Sequence, residues 1–154
     1  MNLTRYLLDH GADVNKPGVT YRFPPLTLAV SNDNAEIVEL LIQHRALING
    51  SGALGMAAAQ RQFNIMGLLL LKYGADVNGN DNDPKTNRLR LVMGNKDFRA
   101  LHEAAAEGHA DVVAYLVRHG ADTGLREARG RTACMLAREK GHLDIVKVLD
   151  DTTL

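Results

Sequence analysis

The chain has 154 residues, 45% of them apolar, and its 18 basic and 18 acidic residues give a formal net charge of zero. This composition excludes a disordered chain, and the balanced charge gives no overall attraction to nucleic acid or to a membrane surface. Cys134 is the single cysteine, so an internal disulfide or a multi-cysteine zinc site cannot form. We therefore expect an intracellular, cytoplasmic protein without metal or cofactor.

Self-similar segments recur along the chain. The segment His10–Asn15 returns almost unchanged at Tyr73–Asn78, in shortened form at His119–Asp122 and in degenerate form at His44–Asn49. A second motif, the pair Gly108-His109, returns further along as Gly141-His142. Recurrence at a fixed interval of roughly 20–50 residues is typical of a solenoid built from stacked repeats.

Apolar residues three and four positions apart predict a series of short amphipathic helices. In chain order we expect a lone helix over 2–9, followed by helix pairs over 25–32 and 35–44, 53–60 and 63–73, 100–107 and 110–119, and 133–140 and 143–150. The first helix of each pair carries small residues suited to close packing, namely Ala29, Ala57, Ala58, Ala104, Ala105 and Ala137. Each pair is too short to bury its apolar face alone, so stacked copies share one core.

These motifs resemble the ankyrin-repeat family, whose pattern includes threonine-proline-leucine-histidine, glycine-histidine and glycine-alanine-aspartate-valine-asparagine. The first motif is incomplete here, at Pro24–Thr27 and at Arg99–His102, but the others recur in order and cover nearly the whole chain. The resemblance implies an all-α solenoid of stacked helix-loop-helix units with short hairpin loops. We assign one domain to 1–154, with a half repeat at 1–23 and repeats at 24–50, 51–78, 98–124 and 131–154.

Glycines end most of the predicted helices, where the backbone usually turns left-handed and glycine costs least. They are Gly11, Gly74 and Gly120 after outer helices, and Gly108 and Gly141 after inner helices. Asp33, Arg45 and Arg61 occupy the corresponding positions in the second and third units. Because arginine is strained in this conformation, we expect these two units to be the less stable half of the stack.

The connections between units differ in length. Only Gly50-Ser51-Gly52 separates Asn49 from Ala53, which predicts a tight turn. The connection from Asn78 to Ala100 is more than twice as long as the one from Gly124 to Ala133. A loop this long in a compact domain is usually functional or disordered. The insertion 79–97 either covers the solenoid or forms part of a binding surface.

The histidines and the cysteine are interpreted as structural. The resemblance implies that His102, His109 and His142 bond neighbouring loops. His10, His44 and His119 precede the ends of outer helices, where the helix dipole favours a cation. Cys134 falls at a buried leucine position, where a thiol behaves as a small apolar group. The sequence shows no nucleophile with a base, no zinc-ligand spacing and no phosphate-binding glycine loop, so we expect no catalytic residue and no enzyme.

The asparagines that end the hairpin motifs are predicted to form turn hydrogen bonds. They are Asn15, Asn49 and Asn78. The resemblance adds a second possibility for them, because such asparagines can be targets of an asparaginyl hydroxylase in this family.

The resemblance implies a protein-interaction module that binds a partner protein through hairpin tips and the concave inner-helix face. Aromatic residues and arginine dominate interface hot spots, so Tyr21, Arg22 and Phe23 are the best anchor candidates, unless Phe23 only covers the N-terminal end. The other candidates are Met56, Gln60, Arg61, Glu103, Glu107, Arg126, Arg129 and Arg131. The last three either steer an acidic partner segment or form a solvated tip.

Two other functions compete with this one. A self-associating structural unit would use the uncapped N-terminal end, where the first unit is only half a repeat. An enzyme built on an ankyrin scaffold is the third possibility, but it would need convergent acid and base groups in a pocket, which the sequence does not show. Neither nucleic acid nor a membrane is an expected partner, because the charge is balanced and the longest apolar run, 112–117, cannot cross a bilayer.

Overall fold

A computed structural model describes residues 3–17, 23–79 and 99–151, and all regular structure in these ranges is helical. The helices are α1 Leu3–Asp9, α2 Pro25–Ser31, α3 Ala35–Gln43, α4 Ala53–Ala59, α5 Phe63–Gly67 with a π-helical continuation Leu68–Lys72, α6 Ala100–Glu107, α7 Ala110–Arg118, α8 Ala133–Lys140 and α9 Leu143–Asp151. Each predicted helix end is confirmed to within one residue. Tyr21, Arg22 and all of the insertion except Gly79 lie outside the described residues.

The helices form two stacked rows. The inner helices α2, α4, α6 and α8 pack one on the next, and the outer helices α3, α5, α7 and α9 pack on their own inner partners. The predicted small residues of the inner helices are all buried, and their short side chains let neighbouring helices lie close together. Each outer helix adds branched apolar side chains to the core, such as Val112 and Leu116. The predicted all-α solenoid is confirmed for the described part of the chain.

The predicted left-handed turns are also present. Gly108 and Gly141 both have φ 82°, and Gly11, Gly74 and Gly120 lie between 64° and 88°. The three side-chain-bearing residues at equivalent positions are Asp33 at 52°, Arg45 at 69° and Arg61 at 58°. A left-handed backbone costs most residues with a Cβ about 1–2 kcal/mol, although aspartate tolerates it, so Arg45 and Arg61 are expected to weaken the second and third units.

Replacing Arg45 by glycine is expected to stabilise the protein by about 0.5 kcal/mol. The substitution removes the left-handed strain of about 1–2 kcal/mol, and the greater freedom of glycine in the unfolded chain offsets about 0.5–1 kcal/mol of that gain. Arg61→Gly is the matched control, because it also breaks an ion pair with Asp111 at 2.6 Å and should gain less. Urea unfolding measures both changes, and a destabilised Arg45→Gly would refute the strain at this turn.

The short connection before α4 is the predicted tight turn. Gly50 and Gly52 have φ 74° and 79°, and Ser51 between them is buried. The Ser51 hydroxyl donates to the Ile48 carbonyl at 2.6 Å and accepts from the Ala53 N–H at 3.1 Å. Ser51 therefore replaces a full hairpin with two local hydrogen bonds. The Thr27 hydroxyl on α2 donates to the Ser51 carbonyl at 2.6 Å, which ties this turn to the preceding unit.

The π-helical turn of α5 marks one extra residue. The stretch from Gln62 to Gly74 is one residue longer than the equivalent stretch from His109 to Gly120. The Ala75 N–H donates to the Leu69 carbonyl, six positions back, at 2.9 Å, whereas the equivalent bond after α7 spans five positions, from Ala121 to Leu116. The prediction of one continuous α-helix over 63–73 was wrong in this respect, because the helix takes up the extra residue by widening its last turn.

Candidate functional site

The hairpin asparagines join successive units. Each accepts a hydrogen bond through Oδ1 from a backbone N–H of the next unit, so its role extends beyond its own turn. The pairs are Leu47 to Asn15 at 2.8 Å, Asp76 to Asn49 at 2.9 Å and Asp122 to Asn78 at 2.7 Å. Asn78 also donates to the Gly120 carbonyl at 3.2 Å. These bonds fix the spacing of the outer-helix ends along the stack.

A second set of side chains joins the inner helices. The Nε2 atoms of His109 and His142 lie 2.9 Å and 3.2 Å from the carbonyls of Ala59 and Ala106 in the preceding units. His102 Nε2 lies 3.1 Å from the Arg131 carbonyl of the following hairpin. The predicted structural role of these three histidines is confirmed, since each imidazole contacts a backbone carbonyl of a neighbouring unit.

Two of the remaining histidines bond backbone carbonyls within their own outer helices. His10 Nδ1 lies 2.7 Å from the Tyr6 carbonyl, and His119 Nδ1 lies 2.8 Å from the Tyr115 carbonyl. In each case the imidazole also stacks on the tyrosine ring, with centroids 4.0 Å and 4.2 Å apart. An imidazole N–H bonded to a carbonyl of the last turn satisfies a helix-terminal acceptor, which is a capping role.

Cys134 differs from its prediction in burial. Its counterpart Leu101 is buried, but Cys134 is half-buried, and its Sγ lies 3.4 Å from the Asp150 carboxylate on α9. Partial burial, together with the nearby carboxylate of Asp150, raises the pKa of the thiol. The thiol therefore stays protonated at neutral pH, which is the opposite of what a nucleophilic cysteine needs.

One surface is built from equivalent positions of all four complete helix pairs. The residue before each left-handed turn of an inner helix is exposed, and these residues are Asn32, Gln60, Glu107 and Lys140. We call them the inner-helix row. Gln60 and Glu107 were among the predicted binding residues. Lys140 was missed, although its place directly before Gly141 is the signal that would have found it.

Other predicted binding residues are less accessible. Met56 is half-buried and packs against the core. Glu103 occupies the equivalent position on α6 and is also half-buried. Phe23 is half-buried before α2. These side chains can border a bound partner but offer it less surface than the inner-helix row, so their role stays a prediction.

Two of the predicted arginines, Arg61 and Arg131, form ion pairs within the chain. Arg61 donates to Asp111 from Nε at 2.8 Å, and this pairing lowers the pKa of the carboxyl group. Arg131 bonds Glu127 at 2.9 Å and Glu139 at 2.8 Å. These carboxylates neutralise both guanidinium groups.

The last hairpin leaves two of its arginines at the surface. Arg126 donates to the Gly130 carbonyl at 2.7 Å but is exposed, and so is Arg129. These two side chains, rather than Arg131, are therefore the accessible cations of the predicted cluster.

The Glu127–Arg131 pair predicts a pH-dependent stability. The hydrogen bond from Arg131 lowers the pKa of the Glu127 carboxyl group below its ordinary value of about 4.3. A lowered folded-state pKa means that the stabilisation is complete above the unfolded pKa and is lost as pH falls through the folded pKa. The free energy of unfolding of Glu127→Gln should therefore lie below that of wild type at pH 7, and the two should converge in acid.

Urea unfolding across that pH range measures the difference between the two proteins. Glu139→Gln serves as the control, because this carboxylate is more exposed than Glu127 and should contribute less. A Glu127→Gln difference that did not shrink in acid would show that the pair does not act through its charge.

Two other kinds of site are absent from the described part of the chain. In 3–17, 23–79 and 99–151 there is no group of three or more histidine, cysteine or acidic side chains that could hold a metal ion. Over the same ranges no helix is long and apolar enough to cross a membrane.

Stacked helix pairs, tied by side-chain bonds to neighbouring backbones, define a helical-repeat protein. The chain belongs to the ankyrin-repeat family, because the family model described as "Ankyrin repeats (3 copies)" matches residues 1–81 and 82–152. Together the two matches cover nearly the whole chain.

Several curated proteins are similar to this chain. Human cyclin-dependent kinase inhibitor 2A is 33% identical over 129 residues, which are 80% of this chain and 74% of the inhibitor. Human cyclin-dependent kinase 4 inhibitor B is 33% identical over 133 residues, 83% of this chain and 86% of that protein. Alpha-latrocrustotoxin-Lt1a of Latrodectus tredecimguttatus is 29% identical over 144 residues, 91% of this chain. The match spans only 9% of the toxin's length.

Proposed function

We propose that the chain is a protein-interaction module that binds a partner protein through the inner-helix row and the adjacent hairpin tips. The observation that carries the proposal is the chemistry of the row. Its four residues are structurally equivalent and exposed, yet they are two amides, a carboxylate and an ammonium. Positions that hold the stack together repeat similar chemistry from unit to unit, so variation at equivalent exposed positions favours a surface fitted to a partner.

The relatives support the same function. Two of them are named as inhibitors of cyclin-dependent kinases, so their named role is exerted on another protein. The row carries both signs of charge and the chain is neutral overall, which favours a protein partner over nucleic acid. An intracellular setting belongs to the same proposal and is supported by the single cysteine.

Site-specific photo-crosslinking in the source cell tests the proposal. A photoreactive amino acid at Gln60 or Glu107 should form an adduct with another protein. The same group at Arg118 or Lys147, which are exposed on outer helices, should not. Adducts from the outer helices alone would place the binding surface elsewhere and overturn the proposed site. Adducts from no position would argue against an interaction module.

The predicted first-hairpin anchor is tested separately. The triple variant Tyr21→Ala, Arg22→Ala, Phe23→Ala should reduce the adduct at Gln60 if the hairpin contributes to the same surface. An unchanged adduct would keep the module but remove the hairpin from its site.

A specific observation favours self-association as the second candidate. Leu7 precedes His10 by three positions, as Leu41 precedes His44 and Leu116 precedes His119. Leu41 and Leu116 are buried, whereas Leu7 is 48% exposed. Leu3 and Tyr6 on the same helix are 71% and 43% exposed. An apolar helix face of this kind is suited to a second copy of the chain.

Sedimentation of wild type and the variant Leu3→Glu, Leu7→Glu over a range of concentrations tests this candidate. A wild-type mass that rises with concentration and a variant mass that does not would support it. Leu143→Glu on α9 is the control, since Leu143 is also exposed but lies outside the α1 face. A wild-type mass independent of concentration would exclude self-association.

A further inference from the structure

The end of α5 combines one extra residue with a run of identical side chains. Leu68, Leu69, Leu70 and Leu71 follow one another, and the π-helical turn covers all four together with Lys72. Leu69 is fully buried at the position that Leu116 holds in α7. Leu68 and Leu70 are half-buried, while Leu71 is 70% exposed. The extra residue therefore lies after the buried position, and Leu71 is exposed just as its counterpart Arg118 is exposed in α7.

The same core could be built with the extra residue on the other side. If Leu70 filled the buried position, the wide turn would lie before it, among Gly67, Leu68 and Leu69. Leu71 would then take the half-buried place now held by Leu70. Every leucine position of the core would again hold a leucine, so the side-chain packing of the two arrangements is closely matched.

Gly67 lies where the second arrangement requires the helix backbone to change conformation. A Cβ at this residue would meet only the Tyr115 hydroxyl, at an ordinary contact distance of 3.7 Å. Space therefore does not require glycine here, although glycine in a helix interior is destabilising. Its effect is to make the backbone before the leucine run easier to rearrange. The residues before it, Ile65 and Met66, are fully buried and hold the start of α5 in place.

We propose that the leucine run is a two-register element, in which the extra residue of α5 exchanges between the position after the buried leucine and the position before it. In the first register the exposed leucine is Leu71. In the second register the exposed leucine is Leu69. It lies beside Gly67 and the Phe63–Tyr115 pair, whose rings meet edge to face with centroids 5.6 Å apart. The two registers present different outer faces, so a protein that binds one of them shifts the ratio.

A double-mutant cycle distinguishes this device from an ordinary core position. Leu116→Ala, in α7, should raise the unfolding equilibrium constant by roughly 30- to 5,000-fold, the usual range for a buried leucine. Leu69→Ala should raise it less than about tenfold, because Leu70 takes the buried position. The double variant Leu69→Ala, Leu70→Ala should raise the unfolding equilibrium constant at least about ten times more than the product of the two single-variant increases.

The adjacent pair Leu116 and Val117 in α7 provides the matched control cycle. Val117 is half-buried against the core, as Leu70 is, but α7 has no extra residue. Its two single effects should therefore multiply. The proposal would be overturned if the two single effects in α5 also multiplied and Leu69→Ala raised the unfolding equilibrium constant as much as Leu116→Ala does.

Thiol labelling provides a second test if the alanine variants do not fold. In a Cys134→Ser background, Leu69→Cys should react with a thiol reagent faster than Leu116→Cys, because a register change exposes position 69 without unfolding. Equal rates, both limited by global unfolding, would contradict exchange between registers.

Discussion

Deleting Leu71 should leave the protein folded and raise its free energy of unfolding by about 1 kcal/mol, roughly one restored helix hydrogen bond. The deletion makes the Gln62-to-Gly74 spacing equal to the spacing between His109 and Gly120. It also removes an apolar side chain that is 70% exposed. Removing a residue from a helix usually shifts every later side chain out of place, so a gain would identify the extra residue as the cause of the π turn.

Deletion of Val117 is the matched control, since α7 already has the regular spacing. It should destabilise the protein by at least about 2 kcal/mol, because the hairpin after α7 can no longer meet its partners in register. Urea unfolding of the two deletion variants measures the contrast. Equal losses in both would show that α5 does not carry a removable residue.

Gly108→Ala is expected to lower the free energy of unfolding by about 2 kcal/mol. Its φ of 82° strains any side chain by about 1–2 kcal/mol, and the lower freedom of alanine in the unfolded chain offsets about 0.5–1 kcal/mol of that loss. The new Cβ would also lie 2.7 Å from the His142 imidazole. The ring must move, and its contact with the Ala106 carbonyl at 3.2 Å is then lost, at a further cost of about 1–2 kcal/mol.

Gly141→Ala separates the two contributions. Gly141 has the same φ of 82°, but a Cβ there meets nothing within 4 Å. It should therefore cost only the backbone strain of about 1–2 kcal/mol, less the roughly 0.5–1 kcal/mol that alanine saves over glycine in the unfolded chain, a net loss of about 0.5 kcal/mol. Thermal or urea unfolding of the two variants measures the difference, and equal losses would show that His142 does not pack against Gly108 in solution.

The helices and the turns that end them could be predicted from the sequence, because each structural role recurs in every repeat. The left-handed turn after α6 could be predicted from Gly108, and the same turn after α4 from Arg61, because both occupy the same place in the repeat. The alignment of the repeats also predicted two members of the inner-helix row, Gln60 and Glu107. Lys140 needed only the same alignment, one unit further along the chain.

What the sequence did not predict depends on contacts between units. The pairing of Arg61 with Asp111 joins side chains 50 positions apart, and the chain alone does not show that the guanidinium is neutralised. The same holds for the asparagine bonds to the following unit. The π turn could have been found from spacing, but the leucine run hides the extra residue, because any of the four leucines fits the apolar pattern.

The inner-helix row is proposed to bind the partner protein, and a comparison of binding affinities tests this proposal directly. Once crosslinking has identified a partner, calorimetry should compare wild type with the variant Asn32→Ala, Gln60→Ala, Glu107→Ala, Lys140→Ala. Because these residues are exposed, the variant should fold normally, and we expect the Kd to rise at least about tenfold, or about 1.4 kcal/mol. The outer-helix variant Arg118→Ala, Lys147→Ala should bind as wild type does. A row variant that bound with wild-type affinity would show that the inner-helix row is not the binding surface.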